Sequence, residues 1–235
     1  MQQPEASGEQ NSATNSNIDK GEHMSSQAVR DPVKDELITP QNAALIIIDF
    51  QPVQVNSIAS MDRQLLVNNI VGVAKLGVAF GLPIVFSTIN VKNKLNKPPI
   101  SQLRKVLGDI TTYDRTTINA WEDTEFNQAV KATKRKKLIM AALWTEACLT
   151  FPALDALREG YEVYPVVDAV GGTSVEAHLA ALRRIELAGA KPIGWVQLAC
   201  ELQRDWIRKE TVPAFMDIFI ETGGTMGLQL SYDRD

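Results

Sequence analysis

Short apolar runs, rich in β-branched residues, recur along this chain with amphipathic helical stretches between them. That alternation restricts the fold to a parallel sheet covered by helices on both faces. The runs are Ala43 to Ile48, Ile84 to Ser87, Leu138 to Ala142 and Val163 to Val167, and a fifth strand is predicted near Pro192 to Val196. The first intervening helix reads from Ser60 as N-cap through Leu65, Leu66, Ile70, Val73, Ala74 and Phe80, and is closed by Gly81 and Pro83. A second runs from about Glu146 to Glu159 and stops at Gly160, and a third from about Val175 to Ala188 stops at Gly189. Right-handed crossovers then predict an α/β fold, a three-layer α/β/α sandwich of the Rossmann-like kind. With 235 residues, 45% of them hydrophobic, the chain suffices for one such domain with a sizeable core.

Residues 1–35 are rich in Gln, Asn, Ser and Glu and contain no apolar run, so they cannot repay the entropy of ordering; they are expected to form a disordered or weakly ordered arm ahead of a domain over 36–235. The arm has no apolar signal-peptide core, and no later stretch is long and apolar enough to span a membrane. A net charge of -4 opposes a general nucleic-acid footprint, and the basic run Lys134 to Lys137 reads as a solvated turn. Two cysteines far apart, with no CxxC and no histidine cluster, suggest neither a disulfide framework nor a zinc site, and a reducing, cytoplasmic setting fits best.

Sheets of this kind carry their chemistry where the carboxyl ends of strands meet loops and helix N-termini. Three candidates fall at that edge. Asp49 ends the first strand, Cys148 lies between the strand Leu138 to Ala142 and the following helix, and Asp168 ends the strand Val163 to Val167. The unpaired N–H groups and positive dipole end of that helix favour a thiolate at Cys148, which makes it a candidate nucleophile. An acid after a run of apolar residues needs a partner or a task. The alternative reading for Asp49 and Asp168 is a capping or loop-anchoring carboxylate.

The segments ALIIIDFQ, TINAWEDTEF, AVKATKRKKLIMAALWTEACLTFPALDALREGYEVYPVVDAVGGTS and ACELQRDW resemble the isochorismatase-like cysteine hydrolases, specifically the YcaC-like branch, over about Glu36 to Trp206. The resemblance implies a parallel sheet of about six strands and a catalytic triad of Asp49, Arg115 and Cys148. Many relatives have Lys where Arg115 stands; Arg does not readily give up a proton, so its expected role is electrostatic. A cis peptide bond between Leu143 and Trp144 is also implied, with the backbone N–H groups of Trp144 and Cys148 forming an oxyanion hole. Trp144 itself departs from the small or aliphatic residues common there, and could narrow the pocket or pack at a subunit contact. The Asp-x-His-x-x-His cluster of nicotinamidase relatives is missing, since the only histidines are His23 and His178. No metal and no cofactor are therefore expected, and His178 reads as a packing or surface residue. True isochorismatases dispense with the cysteine, so the expected reaction is metal-independent hydrolysis of a small amide or related C–N substrate. The resemblance further implies a homo-oligomer. A thiol redox protein, or a non-catalytic binding protein on the same scaffold, stands as the alternative.

The remaining marked residues have mostly structural readings. Asn119 could help position substrate. Trp121, Phe126, Phe151 and Trp195 are spaced like core or interface aromatics, and Cys200 reads as a small buried hydrophobe. Gly171 and Gly172 suggest a close backbone approach ahead of a cap at Thr173 or Ser174, without a dinucleotide fingerprint. Lys92, Lys94 and Lys97, after the second strand, could flank an active-site mouth or only solubilise it.

Overall fold

All six residues of the run Ala43–Ile48 are fully buried, and this strand, β1, is the middle of the sheet. Side chains alternate between the two faces of a strand, so burial of six in succession means that both faces are covered. The computed structural model describes residues 30–232. Among them the sheet has five parallel strands, β1, β2 (Ile84–Ile89), β3 (Thr112–Arg115), β4 (Lys137–Ala142) and β5 (Glu162–Pro165), in the order β3-β2-β1-β4-β5. The helices are α1 (Pro52–Asn56), α2 (Arg63–Ala79), α3 (Ser101–Leu107), α4 (Thr124–Ala132), α5 (Thr150–Arg158), α6 (Val175–Leu187), α7 (Trp195–Gln203), α8 (Val212–Thr222) and α9 (Gly224–Tyr232). One helical group joins α2 to α3, α7 and α8, and another joins α5 to α6. No helix among the described residues is long and apolar enough to cross a membrane.

The strand count is one short of about six, and the difference lies at Pro192 to Val196. Only Ile193 of that segment pairs, through a single parallel bridge to Val166. Gly194 is then the N-cap of α7, which takes Trp195 and Val196 into a helix. Conversely, β3 is a strand that the apolar pattern did not mark: its residues TYDR are polar and partly exposed at the sheet edge. The first long helix begins later than Ser60. Asp62 is its N-cap and accepts from the N–H of Leu65 at 2.8 Å, whereas the Ser60 hydroxyl accepts from the N–H of Gly172 at 2.9 Å. At Gly77 an added Cβ would lie 2.6 Å from Cδ2 of Leu45, so glycine lets α2 rest closely on β1. Trp121, Phe126 and Trp195 are core aromatics, whereas Phe151 is 36% exposed. Cys200 is exposed rather than buried, because it falls on the outer face of α7.

The basic run is not wholly a solvated turn. Its last member, Lys137, opens β4 and is only 4% exposed. The Lys137 ammonium donates to the carbonyl oxygens of Asp35 at 2.7 Å, of Leu37 at 3.4 Å and of Glu36. Arg204 pairs with the Asp35 carboxylate at 3.2 Å. Of the segment read as an arm, residues 1–29 lie outside the described residues, and the stretch up to Asp35 is fastened to the amino-terminal edge of the sheet by these bonds. Lys137→Met keeps the apolar stem but orphans the carbonyls it serves, so it is expected to cost about 1–3 kcal/mol of stability, read as a lower urea midpoint. An unchanged midpoint would mean that water replaces the ammonium without cost.

Candidate active site

The sheet order fixes which strand ends can meet. β1 and β2 are adjacent and parallel, with Ile48 opposite Ser87, and β2 and β3 pair with Ile89 opposite Arg115. Asp49 follows β1 directly, with φ 62, and its N–H donates to the carbonyl of Ser87 at 3.0 Å. Arg115, the last residue of β3, reaches back over β2 to meet it. Nη1 donates to Asp49 Oδ1 and Nη2 to Oδ2, each at 2.7 Å, in a bidentate pair with both side chains 0% exposed. The same guanidinium donates to the Ser87 hydroxyl, the carbonyl of Thr88 and the carbonyl of Ile118, each at 3.1 Å. Burial pulls the Arg115 pKa down, but hydrogen bonding to Asp49 and its charge outweigh this, and the net direction is up.

Cys148 comes to the pair from the other side of β1. β4 ends at Ala142, the Leu143–Trp144 peptide is cis, and residues Thr145–Leu149 form one π turn leading into α5. Leu149 N–H donates to Trp144 O at 3.2 Å, the five-residue step of such a turn, a form often found at functional sites. The buried thiol is pushed up to about 12 from an ordinary 9.0, first by burial, then by the Asp49 charge and the hydrogen bond to its carboxylate. Arg115 and the backbone N–H of Trp144, which faces the sulfur, act in the opposite direction and lose. The expectation that a helix start favours thiolate is thus reversed. Burial and an adjacent carboxylate outweigh Arg115 and the Trp144 N–H, and the resting group is a neutral thiol.

The π turn is strapped from outside. Thr145 N–H donates to Gly171 O at 2.9 Å, and the Glu146 carboxylate accepts from the N–H and hydroxyl of Thr173 at 2.9 and 2.6 Å. A Cβ on Gly172 would lie 2.7 Å from Glu146 Oε2 and 3.1 Å from Cα of His178, which is the close approach expected of the GG pair. Ser174, not Thr173, caps α6, accepting from Ala177 N–H at 3.0 Å. His178 is half-buried, with Nδ1 2.9 Å from the Thr145 hydroxyl; burial lowers its pKa and the Glu146 charge raises it less.

The structure brings Asp49, Arg115, Cys148 and Trp144 together and leaves two candidates elsewhere. Asp168 anchors α7, its carboxylate accepting from Trp195 N–H at 2.9 Å, and burial raises its pKa. The Asn119 side chain accepts from Trp121 N–H at 3.1 Å and donates to Asp155 at 2.7 Å, so its amide is committed within the protein. The Trp144 indole N–H donates to the hydroxyl of Ser57, just past α1, at 2.7 Å. Sequence reasoning missed Glu146 and Gln51. Glu146 lies inside the TEAC motif, where its charge two residues before Cys148 was a usable signal. Gln51 follows Asp49 in DFQ, but its role depends on a loop 38 residues away.

This arrangement, a buried acid, a cation and a thiol at the carboxyl edge of a parallel sheet, defines the class. The chain belongs to the isochorismatase domain family, whose model matches residues 43–197. It is 35% identical over 166 residues to the probable hydrolase YcaC of Escherichia coli (strain K12), covering 70% of this chain and 79% of that protein. Among solved structures it is similar to YcaC from Pseudomonas aeruginosa with hexane-2,5-diol and covalent acrylamide, at 29% identity and a TM-score of 0.79. It is also similar to the E. coli YcaC gene product, an octameric hydrolase of unknown specificity, at 31% identity and a TM-score of 0.78. Each of these two structures matches over 85% of this chain and 98% of its own.

The electrostatics can be tested at the sulfur. Asp49→Asn removes the charge that opposes the thiolate and leaves Arg115 facing it, so the Cys148 pKa is expected to fall from about 12, while burial, the largest cause of its rise, persists. The pH profile of iodoacetamide labelling at Cys148 should move down accordingly. An unmoved profile would mean that Asp49 does not govern the thiol.

Proposed function

We propose that this protein is a metal-independent cysteine hydrolase that cleaves a small amide or related C–N substrate through a covalent intermediate on Cys148. The observation that carries the reading is the convergence of a buried, arginine-clamped carboxylate and a buried thiol at one sheet edge, with a backbone N–H turned toward the sulfur.

Because the resting thiol is neutral, the first step is a coupled one. Asp49 accepts the Cys148 proton as the sulfur attacks the carbonyl carbon, forming the C–S bond and moving one electron pair onto oxygen. The backbone N–H groups of Trp144 and Cys148 receive that oxyanion; removing one such donor from a comparable site typically costs about 10²–10³-fold in rate. The C–N bond then breaks, and the leaving nitrogen takes the proton from Asp49. Water enters, gives its proton to Asp49, and its oxygen attacks the thioester. The second oxyanion collapses, the C–S bond breaks, and the proton on Asp49 returns to the sulfur. Arg115 holds the Asp49 carboxylate in place throughout without exchanging a proton.

The relative from P. aeruginosa carries a covalent acrylamide, which is consistent with a reactive side chain in that protein. A thiol pushed up to about 12 is poorly suited to redox sensing, which needs a readily formed thiolate. The octameric E. coli relative supports a homo-oligomer here. Two free cysteines are consistent with a reducing, cytoplasmic setting.

A panel of small amides, carbamates and hydroxamates, followed for product release and by mass spectrometry for an adduct on Cys148, tests the reading. Cys148→Ala should lower turnover of any substrate found by at least about 10³-fold with the fold intact. Turnover at the parent rate in that variant would reject Cys148 as the nucleophile.

A further inference from the structure

The loop between β2 and α3 carries Lys92, Lys94 and Lys97, and its shape is set from both sides of the candidate site. On one side is Gln51, buried two residues beyond Asp49. Its amide donates to the carbonyls of Ile89 at 3.0 Å and Lys97 at 2.7 Å, and its oxygen accepts from Ile89 N–H at 2.9 Å. On the other is Asp114, immediately before Arg115. Its carboxylate accepts from the N–H of Val91 at 3.0 Å, the N–H of Lys92 at 2.8 Å and the hydroxyl of Thr88 at 2.8 Å. Asn90 N–H donates to the carbonyl of Arg115 itself, at 2.8 Å. Asn90 and Lys94 both adopt left-handed backbone, with φ of 62 and 65, a region that few non-glycine residues occupy. The loop is a fixed lip, bonded to the neighbours of two of the three triad residues.

The charge of this lip is one-sided. Lys92, Lys94 and Lys97 are all exposed. The acid that touches the loop, Asp114, directs its carboxylate into backbone amides, and Lys92 is the lysine that feels its charge. Lys94 and Lys97 enter no ion pair among the described residues. Inside the site Arg115 offers no spare charge, because its fork is closed on Asp49. A chain with a net charge of -4 thus sets a lip of three lysines, offset only by Asp114 beside Lys92, next to an electrically balanced interior.

We infer that the substrate is an anion: a small amide carrying a carboxylate or comparable negative group away from the scissile bond, held by the lysine lip while its carbonyl reaches Cys148. The inference rests on the cysteine-hydrolase reading above and adds the charge of the substrate to it. Focusing of this kind raises the local concentration of the oppositely charged partner and weakens as salt shortens the screening length.

The test compares iodoacetate with iodoacetamide, an anionic and a neutral electrophile of similar size, by peptide mass spectrometry at Cys148 and at the exposed Cys200. The triple variant Lys92→Gln, Lys94→Gln, Lys97→Gln is expected to lower the iodoacetate rate at Cys148 by about 3- to 10-fold at low salt. Its iodoacetamide rate, and both rates at Cys200, should be unchanged. The matching triple Lys→Arg variant should behave as the parent, and the difference should close as salt is raised. An iodoacetate-to-iodoacetamide ratio at Cys148 that is the same in parent and Gln variant overturns the anionic substrate while leaving the nucleophile in place. Substrate turnover at the parent rate in Cys148→Ala overturns the nucleophile reading, and this inference with it.

Discussion

The buried ion pair between Asp49 and Arg115 is the constraint on which the rest of the site depends. Taking two charges out of water costs several kcal/mol per ion, and only good geometry with further hydrogen bonds repays it. Both conditions hold, since two 2.7 Å bonds join the fork to the carboxylate and three more donor bonds run to Ser87, Thr88 and Ile118. The fork can meet the carboxylate only if β1, β2 and β3 keep the register that places Ile48 beside Ser87 and Ile89 beside Arg115. A one-residue slip would turn Arg115 to the opposite face of the sheet and leave Asp49 alone in a dry interior. Sheet register and site assembly are therefore one requirement, satisfied together.

The pair also sets the state of the thiol. Were Arg115 free to face the sulfur, it would favour thiolate; closed on Asp49 it is mostly neutralised, and burial together with the nearby carboxylate keeps the proton on Cys148. The turn that presents the sulfur is held with similar care. Its first residue is bonded to Gly171, its second to Thr173, and the preceding N–H faces the sulfur. The glycines at 171 and 172 are needed because this contact brings backbone against Ile58, Glu146 and His178 at distances that a Cβ would close. The position of the sulfur is thus fixed by its neighbours' backbone contacts.

Much of this was legible in the sequence because apolar runs are loud. β1, β2, β4 and β5 announce themselves by burial on both faces, and Asp49 and Cys148 stand out as polar or reactive residues at their ends. β3 is quiet because an edge strand of TYDR needs no apolar alternation, and Arg115 was identified through family resemblance rather than pattern. Pro192 to Val196 read as a strand because Ile193, Trp195 and Val196 are apolar, but Asp168 caps the chain at Trp195 and turns it into α7. Lys137 was misread because a charge run gives no sign of which member points at buried carbonyls. The thiol's protonation was beyond local reading for a physical reason: its helix context favours thiolate, while burial and then Asp49, distant in sequence and adjacent only in the fold, oppose it.

A balanced interior bears on catalysis as well as on folding. With Asp49 and Arg115 cancelling and Cys148 protonated, the resting site carries almost no net charge, so in the proposed reaction the new charge in the oxyanion hole would be the one that develops on the substrate oxygen. In a water-excluded setting a fixed N–H responds to that charge far more strongly than to a neutral carbonyl. In the proposed reaction the Trp144 N–H, which faces the sulfur at rest, would turn its attraction to the oxyanion once the carbonyl arrives, where binding accelerates the chemistry rather than merely holding the substrate.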